Sequence, residues 1–243
     1  MPWSGSWVAG VGTTELGGTK PMDPDMTFRI GEITRAMTCD VLYSVADQGT
    51  VELDDPVTKY VVSLPGYDNV TLENLCDSTS GLLSYQDHLA ARFIAAPQRV
   101  WDSREIIAYG LGEKNATVPG EVFAASDTGY VLLGLALQRA TGTPIATLLE
   151  QHVFGPLGID ETTSLPNPST NLADQNALRG FVSQVSAETG TLDCLAPTDL
   201  TNLSSSAGSS ADGVVTDIAG LGRYVQALAA NALPGAPENR FED

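Results

Sequence analysis

At 243 residues and 42% hydrophobic content, the chain is long enough to bury a sizeable core in one large domain or two small ones. Its 30 Asp plus Glu against 12 Lys plus Arg give a formal charge of −18, a surface that repels phosphate backbones and anionic membranes and so excludes nucleic acid as a partner. The chain has no run of about eighteen apolar residues and hence no predicted membrane span, and its opening Met1-Pro2-Trp3-Ser4 lacks the basic and apolar regions of a signal peptide.

In chain order, Ser6 to Thr14 alternates small and apolar residues ahead of Gly17-Gly18 and predicts one strand. Ile33, Met37, Val41 and Val45 recur every four residues, and Gly49 follows as a stop, so a helix is expected from Glu32 to Gln48. Shorter helices are predicted at Thr71 to Cys76, Gln86 to Ala95 and Ser103 to Tyr109. Asp127 or Thr128 is placed to cap a helix from Gly129 to Ala140 that is apolar all round and therefore buried, with Gly142 after it. Thr143 as N-cap and Pro144 at the first helical position start another, with the stripe Ile145, Leu148, Leu149, His152 and Val153, ending before Gly155 and Pro156. Residues 166–213 are rich in Ser, Thr, Asn, Asp and Gly and read as a long loop. A last helix follows Thr216, with Ile218, Leu221, Val225 and Leu228 facing inward. There is no internal repeat and no dividing linker.

Chemistry-bearing residues are few. Cys39, Cys76 and Cys194 form no C-x-x-C pair and have no histidine beside them, so neither a metal nor a cofactor is expected. His152 lies on an apolar stripe and His88 follows Asp87 at a polar helix start; both read as structural, which leaves few ways to build a Ser-His-Asp triad. Glu15-Leu16-Gly17-Gly18-Thr19-Lys20 resembles a phosphate-binding turn of sugar kinases, but Pro21 and Pro24 forbid the strand that motif needs. Asp127-Thr128-Gly129 resembles the aspartic-protease motif, but it occurs once and runs straight into a helix.

Six segments in one order carry a broader resemblance. Phe28-Arg29-Ile30-Gly31-Glu32-Ile33-Thr34-Arg35 resembles F-R-I-G-S-x-T-K, and Leu53-Asp54-Asp55-Pro56-Val57-Thr58-Lys59-Tyr60 resembles L-D-D-P-V-x-x-Y. Thr79-Ser80-Gly81-Leu82 is similar to H-T-S-G-L with Ser78 in place of the histidine; Phe123 to Gly134 is similar to F-x-Y-S-N-x-G-Y-x-L-L-G. Phe154-Gly155-Pro156-Leu157-Gly158 is similar to F-x-P-L-G-M, and Gly213 to Leu228 to G-x-V-S-T-x-x-D-L-x-R-F-x-x-A-L. Together these resemble the penicillin-recognising serine hydrolases, the class C β-lactamases and D,D-peptidases, over roughly nine-tenths of the chain.

The resemblance implies an α/β fold of β-lactamase/transpeptidase type, incomplete and dominated by its helical part: a strand remnant over 1–30, a mainly helical part over 31–230 and a tail over 231–243. It implies a chemistry in which a serine attacks the carbonyl of a β-lactam or D-Ala-D-Ala peptide, a lysine one turn later shares the site and a tyrosine relays the proton. Here Glu32 stands at the serine position, Arg35 at the lysine, Ala125 at the tyrosine and Asp127 at the following asparagine. The K-T-G or H-T-G motif does not occur before Asp243. The expectation is an extracytoplasmic member without acyl-transfer chemistry that retains binding of a peptidoglycan-like peptide or β-lactam-like small molecule. The alternatives are a hydrolase working through a Glu32/Asp127 carboxylate pair and a fragment of a longer serine hydrolase; Ser126 is adjacent to the lost tyrosine position but has no evident base. Cys39 is expected as a buried free thiol and Cys76 to bridge Cys194, closing a loop of about 118 residues, although three cysteines permit other pairings.

Overall fold

The computed structural model describes residues 7–62, 64–112, 117–185 and 191–237. Its centre is α1 (Ile33–Asp47), whose Met37, Val41 and Val45 are buried as the four-residue spacing requires, with Leu42 buried beside them, while Ile33 at the start of the stripe is 40% exposed. Gly31, in the left-handed region at φ 56°, turns the chain out of β1 (Phe28–Arg29) into this helix, and Gly49 at φ 70° ends it by donating its N–H to Ala46 O. Ahead of β1, residues 7–14 form no strand; Gly12 at φ 99° breaks the extended run, and a single bridge between Thr13 and Pro21 closes the turn instead.

After α1, the Leu53 to Tyr60 turn is held by Asp55, which accepts from the Glu52 N–H, from Lys59 Nζ at 2.6 Å and from the Tyr60 hydroxyl. Partial burial works to raise the Asp55 pKa, but these donors outweigh it and set the carboxyl at about 2. Then come α2 (Leu72–Cys76), closed at its start by a reciprocal Thr71/Asn74 capping box, α3 (Gln86–Ala95) and α4 (Ser103–Leu111).

Helix α5 (Asp127–Thr141) is buried along most of its length and ends on Gly142 at φ 71°, as expected of an all-apolar helix. Its cap, however, is Ser126, whose Oγ accepts the Gly129 N–H, and not Asp127 or Thr128. Ser126 alone of the three has extended backbone; Thr128 is already helical and its Oγ1 accepts the Tyr85 N–H, which frees Asp127 to point elsewhere. Where α4 crosses α5, Gly110 lies against Thr128 so closely that a Cβ there would collide with the threonine side chain.

α6 (Ile145–Leu149) starts after Pro144, which takes the cap position expected for Thr143. It does not stop at Gly155-Pro156: a wide π-helical turn (Glu150–Phe154) leads directly into α7 (Gly155–Leu157). Pro156 falls in α7 directly after the π-helical turn and does not end the helix. His152 is structural: its Nδ1 pairs with Ser44 Oγ of α1 at 2.8 Å, and burial lowers its pKa, favouring the neutral ring.

β4 (Val215–Thr216) pairs antiparallel with β1, Phe28 opposite Thr216 and Arg29 opposite Val215. This tie draws the end of the 166–213 segment against the start of α1. That segment is not all loop, because β2 (Phe181–Val185) and β3 (Leu192–Asp199) form an antiparallel hairpin with an irregularity between Val182 and Gln184. α8 (Ile218–Ala229) is capped by Asp217 through the Gly220 N–H. It buries Gly220, Tyr224 and Ala227, leaving the expected inward residues Ile218 and Val225 at 41% and 48% exposure. The Tyr224 hydroxyl reaches the buried Asp40 of α1 at 2.7 Å, and that bond sets the helix's rotation.

The cysteine expectation is overturned. Cys39 of α1 is disulfide-bonded to Cys76 at the end of α2, their Cα atoms 5.5 Å apart, so Cys39 is not a free thiol and Cys76 does not bridge Cys194. Helical spacing placed Cys39 on a buried face but carried no information about which element that face meets. The architecture is the helix-dominated α/β arrangement expected, with short strands.

Candidate functional site

The first turns of α1 and α5 meet around one ion-paired cluster. Arg35, one turn into α1, directs Nη2 to Glu32 Oε1 at 3.1 Å and to Asp127 Oδ1 across the gap. Arg35 and Asp127 are nearly enclosed, with side chains 13% and 9% exposed, while the Glu32 carboxylate is 75% exposed at the rim. The guanidinium lies 5.4 Å from the centre of the Tyr130 ring, whose hydroxyl donates to Cys76 O and shares a 2.8 Å hydrogen bond with Ser78 Oγ. Ser84 Oγ donates to the other oxygen of Asp127 at 2.7 Å. Glu32, Arg35 and Asp127 are thus brought together. Ala125, exposed on the loop before α5, presents only a methyl group. Ser126 is 2% exposed, with its Oγ donating to Leu83 O and accepting from Gly129, so it does not open onto the cleft.

Three further groups were not singled out from sequence. Asp212, from the Ser/Gly-rich segment, packs its carboxylate against Gly208 and accepts a long 3.4 Å bond from Gln86 Nε2. Burial first, then the nearby Asp127 and Glu32 carboxylates, push its pKa up to about 6 against the opposing pull of Arg35 and Arg29. Arg29 of β1 donates to Leu203 O, and its pKa is lowered by burial against the raising influence of Asp212. Tyr85 donates its hydroxyl to Ala207 O; burial, and then the charges of Asp212 and Asp127, drive its pKa well up. No local pattern marks Asp212, which reaches the site only because β4 draws its segment back to β1. Among the described residues no group of three His, Cys, Asp or Glu is placed to hold a metal.

The raised Asp212 carboxyl has a signed consequence for stability. Its ordinary value is 3.8 and its folded value about 6, so between pH 4 and 6 the folded chain holds a proton that the unfolded chain releases, and stability falls as pH rises through that window. Asp212→Asn is expected to be more stable than the native chain at pH 7, by on the order of 3 kcal/mol, and equal to it near pH 3. Urea unfolding of both proteins across this range checks it; parallel curves would refute the assignment. Asp55 acts with opposite sign and in a separate window below pH 4, since its depressed carboxyl contributes stability that is lost as pH falls toward 2.

The family model described as Beta-lactamase matches residues 4–240. The D-alanyl-D-alanine-carboxypeptidase/endopeptidase AmpH of Escherichia coli is 36% identical over 163 residues, which cover 65% of this chain and 42% of that protein. Among solved structures, a D-amino acid amidase from Ochrobactrum anthropi superposes with a TM-score of 0.76 at 24% identity, over 94% of this chain and 62% of that one. A D-stereospecific amidohydrolase from Streptomyces gives 0.75 at 24% identity, over 89% and 64%. The chain therefore spans under two thirds of the solved relatives and about two fifths of the curated one, and the structural likeness speaks to the fold alone. With a family match running along nearly its whole length, on the fold those structures share, this chain belongs to the Beta-lactamase family of serine hydrolases.

Proposed function

We propose that the chain is a catalytically silent member of this family that binds a peptidoglycan-like peptide or a β-lactam-like molecule in the cleft between α1 and α5. The observation that carries this reading is the Arg35 guanidinium, ion-paired to Asp127 and Glu32 where the family resemblance expects a lysine. A guanidinium holds its proton firmly near neutral pH and so does not act there as a base, and Glu32 offers no hydroxyl for acyl transfer. Hydrolysis by the Glu32/Asp127 pair has less support, because Arg35 and Ser84 already engage both oxygens of Asp127. Binding is supported by the relative's name, a D-alanyl-D-alanine carboxypeptidase, and by Phe123, 73% exposed on the loop leading to Ala125 as an apolar contact. The Cys39–Cys76 disulfide supports an extracytoplasmic setting, where such bonds persist.

Incubation with nitrocefin and with a fluorescent penicillin is expected to give neither turnover nor covalent labelling, while an acyl-D-Ala-D-Ala peptide perturbs the Arg35 side-chain resonances reversibly. A stable acyl adduct in the intact mass overturns the silent reading. Failure of the peptide to perturb Arg35 overturns the binding reading.

A further inference from the structure

Away from the ion-paired cluster, a groove of 480 Å³ opens between α4 and the loop residues Val61, Val62, Leu64, Pro65 and Tyr67, with Leu135 of α5 also in its lining. That volume suits a single small ligand. Neither Arg35 nor Asp127 lines it.

α4 gives the groove a direction. Arg104, Ile107, Ala108 and Leu111 all face it, at the spacing of one helical stripe, so this wall runs about 10 Å from a guanidinium at one end to an apolar side chain at the other. Ile107 and Leu135 are buried, while Val62 across from them is an exposed large apolar residue. Arg104 is the one charged residue in the lining among the described residues, and Tyr67 the one other polar residue. The guanidinium is not spent on the acidic residues beside it in sequence. Asp102 Oδ1 accepts the Arg104 backbone N–H at 2.8 Å, and Glu105 pairs with Arg99 at 2.7 and 2.9 Å.

An apolar trough with a cation at one end matches an amphiphile of opposite polarity. A hydrocarbon chain removes the aliphatic wall from water, and a carboxylate fits the forked donors of a guanidinium. We infer that this groove binds a linear, medium-chain aliphatic carboxylate, with its headgroup at Arg104 and its tail toward Leu111. Arg104 is exposed, so its charge selects the headgroup, and burial of the chain supplies most of the affinity. The formal charge of −18 would by itself favour an ammonium headgroup, but physiological salt screens charges beyond about 8 Å and leaves Arg104 as the charge the ligand meets.

The test is a methyl-detected NMR titration of the whole chain with octanoate. The Ile107, Leu111 and Leu135 signals are expected to shift along one saturating curve. Acetate, which has the headgroup without the chain, gives no saturable shift, and octylammonium binds roughly tenfold more weakly, since attraction at Arg104 becomes repulsion. Arg104→Gln abolishes the preference for octanoate while chain binding persists. Ala108→Trp, which fills the groove, abolishes binding of both. Each replaced residue is exposed on α4, so both variants are expected to keep the native melting temperature. If Ala108→Trp fails to fold, the headgroup comparison and Arg104→Gln still decide. No saturable shift at about 20 mM octanoate, where a millimolar site is filled, overturns the inference. So does octylammonium binding as tightly as octanoate, or unchanged octanoate affinity in a folded Ala108→Trp protein.

Discussion

Arg35→Ala is expected to destabilise the fold by about 3 to 5 kcal/mol, the usual cost of removing one partner from an enclosed ion pair. Arg35 and Asp127 are 13% and 9% exposed at the side chain, so without the guanidinium the aspartate keeps only the Ser84 hydroxyl and stands beside Asp212 and Glu32 with no adjacent counter-charge. The loss extends to Tyr130, whose ring the guanidinium covers. In an Asp127→Asn background the same arginine substitution should cost much less, because no carboxylate is left uncompensated. A double-mutant cycle by urea unfolding measures the difference. Additive effects would mean that the pair is not coupled and that the cleft is held by its surroundings instead.

Replacing both Cys39 and Cys76 by alanine is expected to cost about 4 kcal/mol, the chain entropy released when a loop of this length is opened in the unfolded state. The bond joins residues 37 apart in sequence and ties α1 to α2 directly beneath the cleft, since Tyr130 donates to the carbonyl of Cys76. Reduction of the native protein should lower its melting temperature by a similar amount to the double replacement. A melting temperature unmoved by either treatment would show that the two helices are held by packing alone.

What was legible in the sequence was what is local. The four-residue spacing of α1, the short helix α2 and the apolar run of α5 with its terminal glycine each depend on neighbours within a turn or two, and each was found nearly to the residue. What was not legible depends on contacts between distant segments. α8 is turned by Tyr224 reaching Asp40, the cysteine pairing by the way α1 meets α2, and the β2–β3 hairpin by two strands pairing with each other. The cleft divides the same way: Arg35, Glu32 and Asp127 were visible as positions within motifs, whereas Asp212 and Ser84 have no local signature and are recruited by the fold.

The contact between Gly110 and Thr128 has a bearing on which sequences can descend from this one. Thr128 needs its methyl to fill the space beside position 110 and its hydroxyl to satisfy the Tyr85 N–H. Valine would keep the shape and orphan the amide, while serine would keep the oxygen and leave a void. At position 110 any side chain larger than hydrogen forces α4 away from α5. Drift at either position is therefore arrested by the other. A substitution at either position costs stability unless the other changes with it, which couples the two positions across the joint between α4 and α5.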